Sequence, residues 1–214
     1  MNSQILPAQL EKEQLFPGIW VYRNILKKEL NLVQRIENYI NENNLEWQEA
    51  YVGYKQKMPE YRDCVDFKIK KLLENPRPVV DEIWQDAYNA KINAVNDYCN
   101  MYNIEMKYWE AMNVIKYGPG QHFQEHADHG WSYYCTVSLV AYINDDYEGG
   151  ELSFGRLGIS FKPKAGDLYI FPSTYLFSHR AMPVKKGTKY SIVTMLDYNE
   201  NAHTPEFHNG IMNK

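Results

Sequence analysis

The chain has 214 residues, of which 44% are hydrophobic and 23% charged, with a formal net charge of −4 and a pI near 5.9. This is the balance of an ordinary globular domain with enough chain to bury a core, and it carries no Lys/Arg run of the kind that tracks nucleic acid. No apolar run approaches the ~18 residues of a membrane span, and the opening residues show no secretory pattern.

In chain order, "GIWVYRNIL" (18–26) reads as a short strand. Leu32, Val33, Ile36, Tyr39 and Ile40 recur at helical spacing, with Asn31 in the N-cap position and Gln34 three residues on, the pattern of a capping box. Residues 47–69 are mixed and read as strand and loop. After the breaker "NPRP", Val80, Trp84, Tyr88, Ile92, Val95, Cys99 and Tyr102 form the apolar stripe of a longer helix. Past Met106 short strands alternate with turns. "YWEAMNVIKY" leads, then "YYCTVSLVAYIN", "ELSF", "ISFKP", "LYIFP", "HRAMPV" and "KYSIVTMLDY", separated by "DDYEGG", "GRLG", "KAGD" and "KKGT". The expected fold is therefore mostly β with N-terminal helices covering one sheet of a sandwich or barrel. Residues 1–105 form a support region, 106–198 the β core and 199–214 a polar tail that serves as a loose end or an active-site flap. The 18 tyrosines suit such a fold. Cys64, Cys99 and Cys135 form no C-x-x-C and read as reduced thiols in a cytoplasmic setting.

Three of the six histidines crowd into "GQHFQEHADHGW", Gly120 to Trp131. His126 and Asp128, two apart, would share one face of a strand, since side chains alternate with period two. A lone H-x-D is as readily part of a polar loop, and it needs a third ligand. His122 and His129 flank the pair, while His203 and His208 lie in the tail. His179, in "LFSHRAMPV", opens a strand far enough along the chain to return across a barrel. Two imidazoles and one carboxylate on one face of a metal leave about three positions open, the ligand set of non-haem Fe(II) oxygenases. Lys189 opens the otherwise apolar strand "KYSIVTML". It is either a surface lysine at a turn or a point charge that meets an anion.

With these motifs in order, the chain resembles the prolyl 4-hydroxylase-like branch of the 2-oxoglutarate and Fe(II)-dependent oxygenases, over roughly Met106 to Asp197. "YGPGQHFQEHAD", "EGGELSF", "KPKAGDLYIFPS" and "HRAMPVKKGTKYSIVTML" carry the resemblance. It implies a double-stranded β-helix, or jelly-roll barrel, with iron on His126, Asp128 and His179. It places the distal carboxylate of 2-oxoglutarate on Lys189, with Tyr117 and Tyr142 facing the co-substrate. The implied reaction is hydroxylation of a C–H bond with O2, giving succinate and CO2, with ascorbate as a reductant. The implied substrate is a prolyl residue of a peptide or protein, with Trp131 and the 51–65 region at the rim of its cleft. A free amino acid, a lysyl residue or an alkylated base are alternative targets of the same chemistry, and a metal-binding barrel without turnover is a third reading. Nucleic acid is not expected as a partner, and the oligomeric state stays open. Leu152 and Met195 depart from the family pattern, where threonine and tryptophan are common.

Overall fold

A computed structural model describes residues 10–52, 56–69, 77–110, 112–130, 134–198 and 210–211. β1 (Lys12–Phe16) and β2 (Ile19–Tyr22) form a hairpin ahead of α1 (Leu32–Glu42). β3 (Gln48–Glu49), β4 (Arg62–Asp63) and β5 (Val65–Ile69) precede the long α2 (Pro78–Tyr102). Then come β6 (Tyr108–Trp109), β7 (Met112–Tyr117), β8 (His122–His126), β9 (Val137–Tyr142), β10 (Glu148–Gly149) and β11 (Leu152–Phe154). β12 (Ile159–Phe161), β13 (Leu168–Pro172), β14 (His179–Ala181), β15 (Val184–Lys186), β16 (Lys189–Asp197) and β17 (Gly210–Ile211) complete the order.

The strands pair antiparallel throughout. The larger sheet runs β1-β2-β13-β9-β16-β7-β5-β3, with β6 joining β16 to β17, and the smaller runs β12-β11-β14-β8-β4. The protein is thus mostly β with two helices, as composition and turn spacing predict. The two sheets cross the expected boundary at residue 105. β2 pairs with β13, β5 with β7 and β4 with β8, so strands from the first hundred residues extend both sheets.

Alternation along the central strands divides the core. Leu139 and Ala141 of β9, with Val114, Ile170 and Ile192 of neighbouring strands, face the helices and pack with Ile36, Ile40, Val80, Ile83 and Val95. Val140 and Tyr142 point the other way and pack with Tyr169, Phe171, Leu152 and Phe154, the last two from the smaller sheet. One face of the large sheet is therefore closed by helices and the other meets the small sheet.

Both helices form where the apolar spacing predicts, with differences in detail. α1 has no side-chain cap bond: Asn31 sits at φ 46° as the left-handed end of a 3-10 turn (Lys28–Leu30), in place of the extended backbone that a capping residue usually adopts. Gln34 bonds Asn38 one turn on instead of reaching back. In α2, Pro78 stands at the start, where its missing N–H costs nothing. Its buried face is rotated from the apolar stripe to include Ile83, Ala87, Ala94, Tyr98 and a fully buried Lys91, whereas Tyr102 is exposed. The three cysteines are free and buried. Among the described residues no helix is long and apolar enough to cross a membrane.

Candidate active site

β8 and β14 are neighbours in the small sheet, and their register sets His126 directly opposite His179. The two rings lie 4.5 Å apart between centroids. β8 ends at His126, so Asp128 comes from the bend that follows and not from the strand face. At this bend the His129 N–H donates to the Ser173 carbonyl (3.0 Å), one residue past the end of β13. Asp128 Oδ1 then lies 3.5 Å from His126 Nε2, and Oδ2 lies 3.7 Å from His179 Nε2. One ligand atom from each of the three residues falls within 4.8 Å of the others.

The hydrogen bonds of the far ring nitrogens define what these atoms offer. His126 Nδ1 donates to the Gln124 carbonyl (2.8 Å) and His179 Nδ1 to the Phe177 carbonyl (3.2 Å). A carbonyl can only accept, so each neutral ring carries its proton on Nδ1 and turns the Nε2 lone pair inward. Burial, helped by the nearby His126, lowers the His179 pKa to about 4 against the pull of Asp128, so its ring is neutral. Burial opposes the charge on Asp128, but His179, His126 and the Ser138 hydroxyl together hold its pKa well below the usual carboxylate range. Two lone pairs and an anion therefore converge on one point, a donor set that fits a divalent cation and repels itself without one. Phe123 stacks on His126 (3.6 Å between centroids, 15°), with Tyr61 against its edge and the Arg62 guanidinium 4.7 Å away, which fixes the imidazole plane.

Lys189 faces this cluster from the large sheet. It opens β16, is 2% exposed, and its Nζ donates to the Gly150 carbonyl (2.9 Å) between the rings of Tyr117 (4.9 Å) and Tyr142 (5.3 Å). Among the described residues no carboxylate lies within ion-pair distance of it. Burial, with Lys162 adding repulsion, lowers its pKa to about 7. The double glycine that supplies its carbonyl partner is required by space. Both residues have positive φ, and a Cβ on Gly149 would stand 2.4 Å from the Pro183 oxygen, while one on Gly150 would stand 3.1 Å from the Lys189 stem. Burial raises the pKa of Tyr117 and of Tyr142 well above the ordinary phenol value, so both stay neutral hydroxyls.

A cavity of about 690 Å³ between the sheets holds all six predicted residues, His126, Asp128, His179, Lys189, Tyr117 and Tyr142. Leu152 and Met195 line it too, as do Tyr51, Tyr61, Arg62 and Asp66 from the first hundred residues. The other histidines stand apart. His129 Nδ1 bonds the Cys135 carbonyl, and His122 faces the carbonyls of Gly120 and Glu60. Trp131 and the tail histidines His203 and His208 lie outside the described residues, as does the tail from Asn199 to Asn209. Sequence reasoning missed Ser138 and Ser173, which stand behind Asp128. A serine inside the unbroken apolar run "TVSLVAY" was the available signal.

Known proteins resemble this chain in sequence and in fold. Residues 112–196 match the sequence model of the 2OG-Fe(II) oxygenase superfamily. The proteins this chain is similar to carry hydroxylase and dioxygenase names. A protein carrying a prolyl 4-hydroxylase name in Acanthamoeba polyphaga mimivirus is 25% identical over 130 residues, 51% of this chain and 54% of the relative. Human procollagen-lysine,2-oxoglutarate 5-dioxygenase 2 is 28% identical over 85 residues, 39% of this chain and 12% of that protein. The chain thus spans about half the length of the first of these and far less of the second. Among solved structures, a prolyl hydroxylase from Trichoplax adhaerens, bound to a hypoxia inducible factor peptide, superposes with a TM-score of 0.66 at 15% identity. That match covers 84% of this chain and 83% of the other, a likeness of fold. The superfamily's chemistry requires Fe(II), 2-oxoglutarate and O2, and among the described residues His126, Asp128 and His179 form the cluster able to take the metal.

Proposed function

We propose that this chain is an Fe(II)- and 2-oxoglutarate-dependent dioxygenase that hydroxylates prolyl residues of a peptide or protein, on a double-stranded β-helix scaffold. The observation that carries the reading is the opposition of two charges across one cavity: a two-histidine, one-carboxylate cluster on the small sheet and, on the large one, a buried lysine without a carboxylate partner among the described residues. A small molecule with a carboxylate at each end satisfies both.

In this reading His126 Nε2, His179 Nε2 and Asp128 hold the iron. Bound iron supplies oxidation of a substrate C–H by O2, with 2-oxoglutarate consumed to succinate and CO2. The protein's own part is placement. Lys189 takes the distal carboxylate, and the neutral phenols of Tyr117 and Tyr142 flank it as donors. Leu152 and Val140 wall the cavity and exclude water. Tyr51, Tyr61 and Met195 line the cavity, an apolar and aromatic surface that suits an extended prolyl segment, already ordered as polyproline II. The prolyl hydroxylase names among relatives and fold neighbours support that substrate. Three free thiols suit a reducing, cytoplasmic setting.

A lysyl residue is the second reading. Asp66 lines the cavity with a carboxylate, 3.7 Å from Arg62, and could receive an ammonium group. The test is succinate release and a +16 Da product on proline-containing and lysine-containing peptides, with methylated single-stranded DNA alongside. Oxidised proline is the expected result. Oxidised lysine selects the second reading, and repaired DNA without peptide oxidation overturns both.

A further inference from the structure

β9 is buried along its whole length, yet it carries a serine at 138. A hydroxyl in such a place costs free energy unless its hydrogen bonds are made. By alternation Ser138 shares the face of Val140 and Tyr142, toward the small sheet. Its Oγ lies 2.6 Å from Asp128 Oδ2 and 2.7 Å from the Oγ of Ser173, which stands just past the end of β13 and is 1% exposed.

The proton count gives this chain a direction. An ionised carboxylate only accepts, so the single hydroxyl proton of Ser138 goes to Asp128 Oδ2. Ser138 Oγ can then only accept from its other neighbour, and Ser173 must donate to it. The Ser173 backbone is held independently: its N–H donates to the Thr136 carbonyl (3.0 Å), and its carbonyl receives the His129 N–H. One short segment thus pins both the bend that carries Asp128 and the hydroxyl that orients the carboxylate.

We propose that Ser138 and Ser173 are positioning residues forming a one-way hydroxyl relay. It occupies Oδ2 of Asp128 and leaves Oδ1 to meet the metal as a single-oxygen ligand. The proposal rests on the reading of His126, Asp128 and His179 as the metal site. A carboxylate free to turn could chelate through both oxygens and occupy a position that the co-substrate or O2 needs, and the relay prevents this. Ligand-orienting partners of this kind are typically worth 10- to 100-fold in metal affinity.

The test is Mn(II) titration of the full chain, followed by calorimetry, with urea unfolding of each variant to establish that it is folded. Ser138→Ala is expected to weaken Mn(II) binding by about 10- to 100-fold, and Ser173→Ala by a smaller factor. Because Ser173 acts only through Ser138, the double variant should bind no more weakly than Ser138→Ala alone, a coupling that two independent packing losses would not show. Should Ser138→Ala fail to fold, Ser173→Ala decides, since it leaves the carboxylate's own partner in place. Wild-type Mn(II) affinity in a folded Ser138→Ala, or additive losses in the double variant, overturns the relay. Asp128→Ala separates the two failures. If it too binds Mn(II) like the wild type, the metal site itself has been misplaced. If it loses the ion while Ser138→Ala does not, only the relay is wrong.

Discussion

Replacing Lys189 by methionine keeps the length and apolar stem of the side chain and removes its charge. In the protein the ammonium is buried, donates to one carbonyl and has no anionic partner within ion-pair distance among the described residues. A carboxylate arriving there gains a charge-assisted bond worth about 1.5–3 kcal/mol. At about 1.4 kcal/mol per tenfold, Lys189→Met should weaken 2-oxoglutarate binding by roughly 10- to 150-fold. The wild type should also show a pH signature. Burial lowers the free lysine to about 7, and a bound carboxylate raises it, so binding takes up a proton once the free amine has begun to lose its own. Affinity is then full below pH 7. It falls by up to about tenfold per pH unit above that, until the pKa of the complex is reached. The assay is anaerobic calorimetry of 2-oxoglutarate into Mn(II)-loaded protein from pH 6 to 9, in two buffers of different ionisation enthalpy so that proton uptake is counted. The methionine variant should bind weakly, with a flatter profile and without the extra proton. Wild-type affinity in Lys189→Met, or an unchanged slope and proton count, would refute the anchor. Arg156 and Lys164 do not line the cavity and offer no alternative anchor.

Two further expectations concern stability. Lys91 lies fully buried beneath the large sheet; its Nζ meets Thr194 Oγ1 (2.9 Å), Met112 Sδ (3.3 Å) and the Trp109 ring (5.4 Å), with no carboxylate in ion-pair distance among the described residues, and burial lowers its pKa to about 7. Between that value and the ordinary 10.5 the unfolded chain binds the extra proton, so this group's contribution to stability rises with pH, by up to about 1.4 kcal/mol per unit. Lys91→Met should therefore be more stable than the wild type at pH 7, with the gap closing by roughly 2–3 kcal/mol at pH 9; a gap independent of pH in urea unfolding defeats the reasoning. Gly149→Ala should cost roughly 2–5 kcal/mol, combining left-handed strain with a clash against the Pro183 carbonyl. Gly158→Ala, at φ +67° with nothing within 4 Å of its Cβ, should cost only about 1–2 kcal/mol. Equal losses at the two positions would count against the packing argument.

Local chemistry was readable from the sequence because its signals are local. Turn dipeptides and alternating apolar residues mark most strands of residues 106–198, helical spacing marks α1 and α2, and the order of four motifs points to His126, Asp128, His179, Lys189, Tyr117 and Tyr142 as one site. Tertiary structure decided everything that depends on which strand lies beside which. The H-x-D pair was expected on one strand face, but β8 stops at His126 and Asp128 returns through a bend held by Ser173, a residue 45 positions later. The cap expected at Asn31 is absent because the preceding 3-10 turn fixes that residue in a left-handed conformation. The support region turned out to supply strands to both sheets and side chains to the cavity, although no motif in it announces either role. Ser138 and Lys91 look alike in the sequence, each a polar residue in an apolar pattern. One reaches Asp128 and the other a threonine, a thioether and an indole ring, and that difference is set by the sheet face on which each is buried, which no neighbour in the chain encodes.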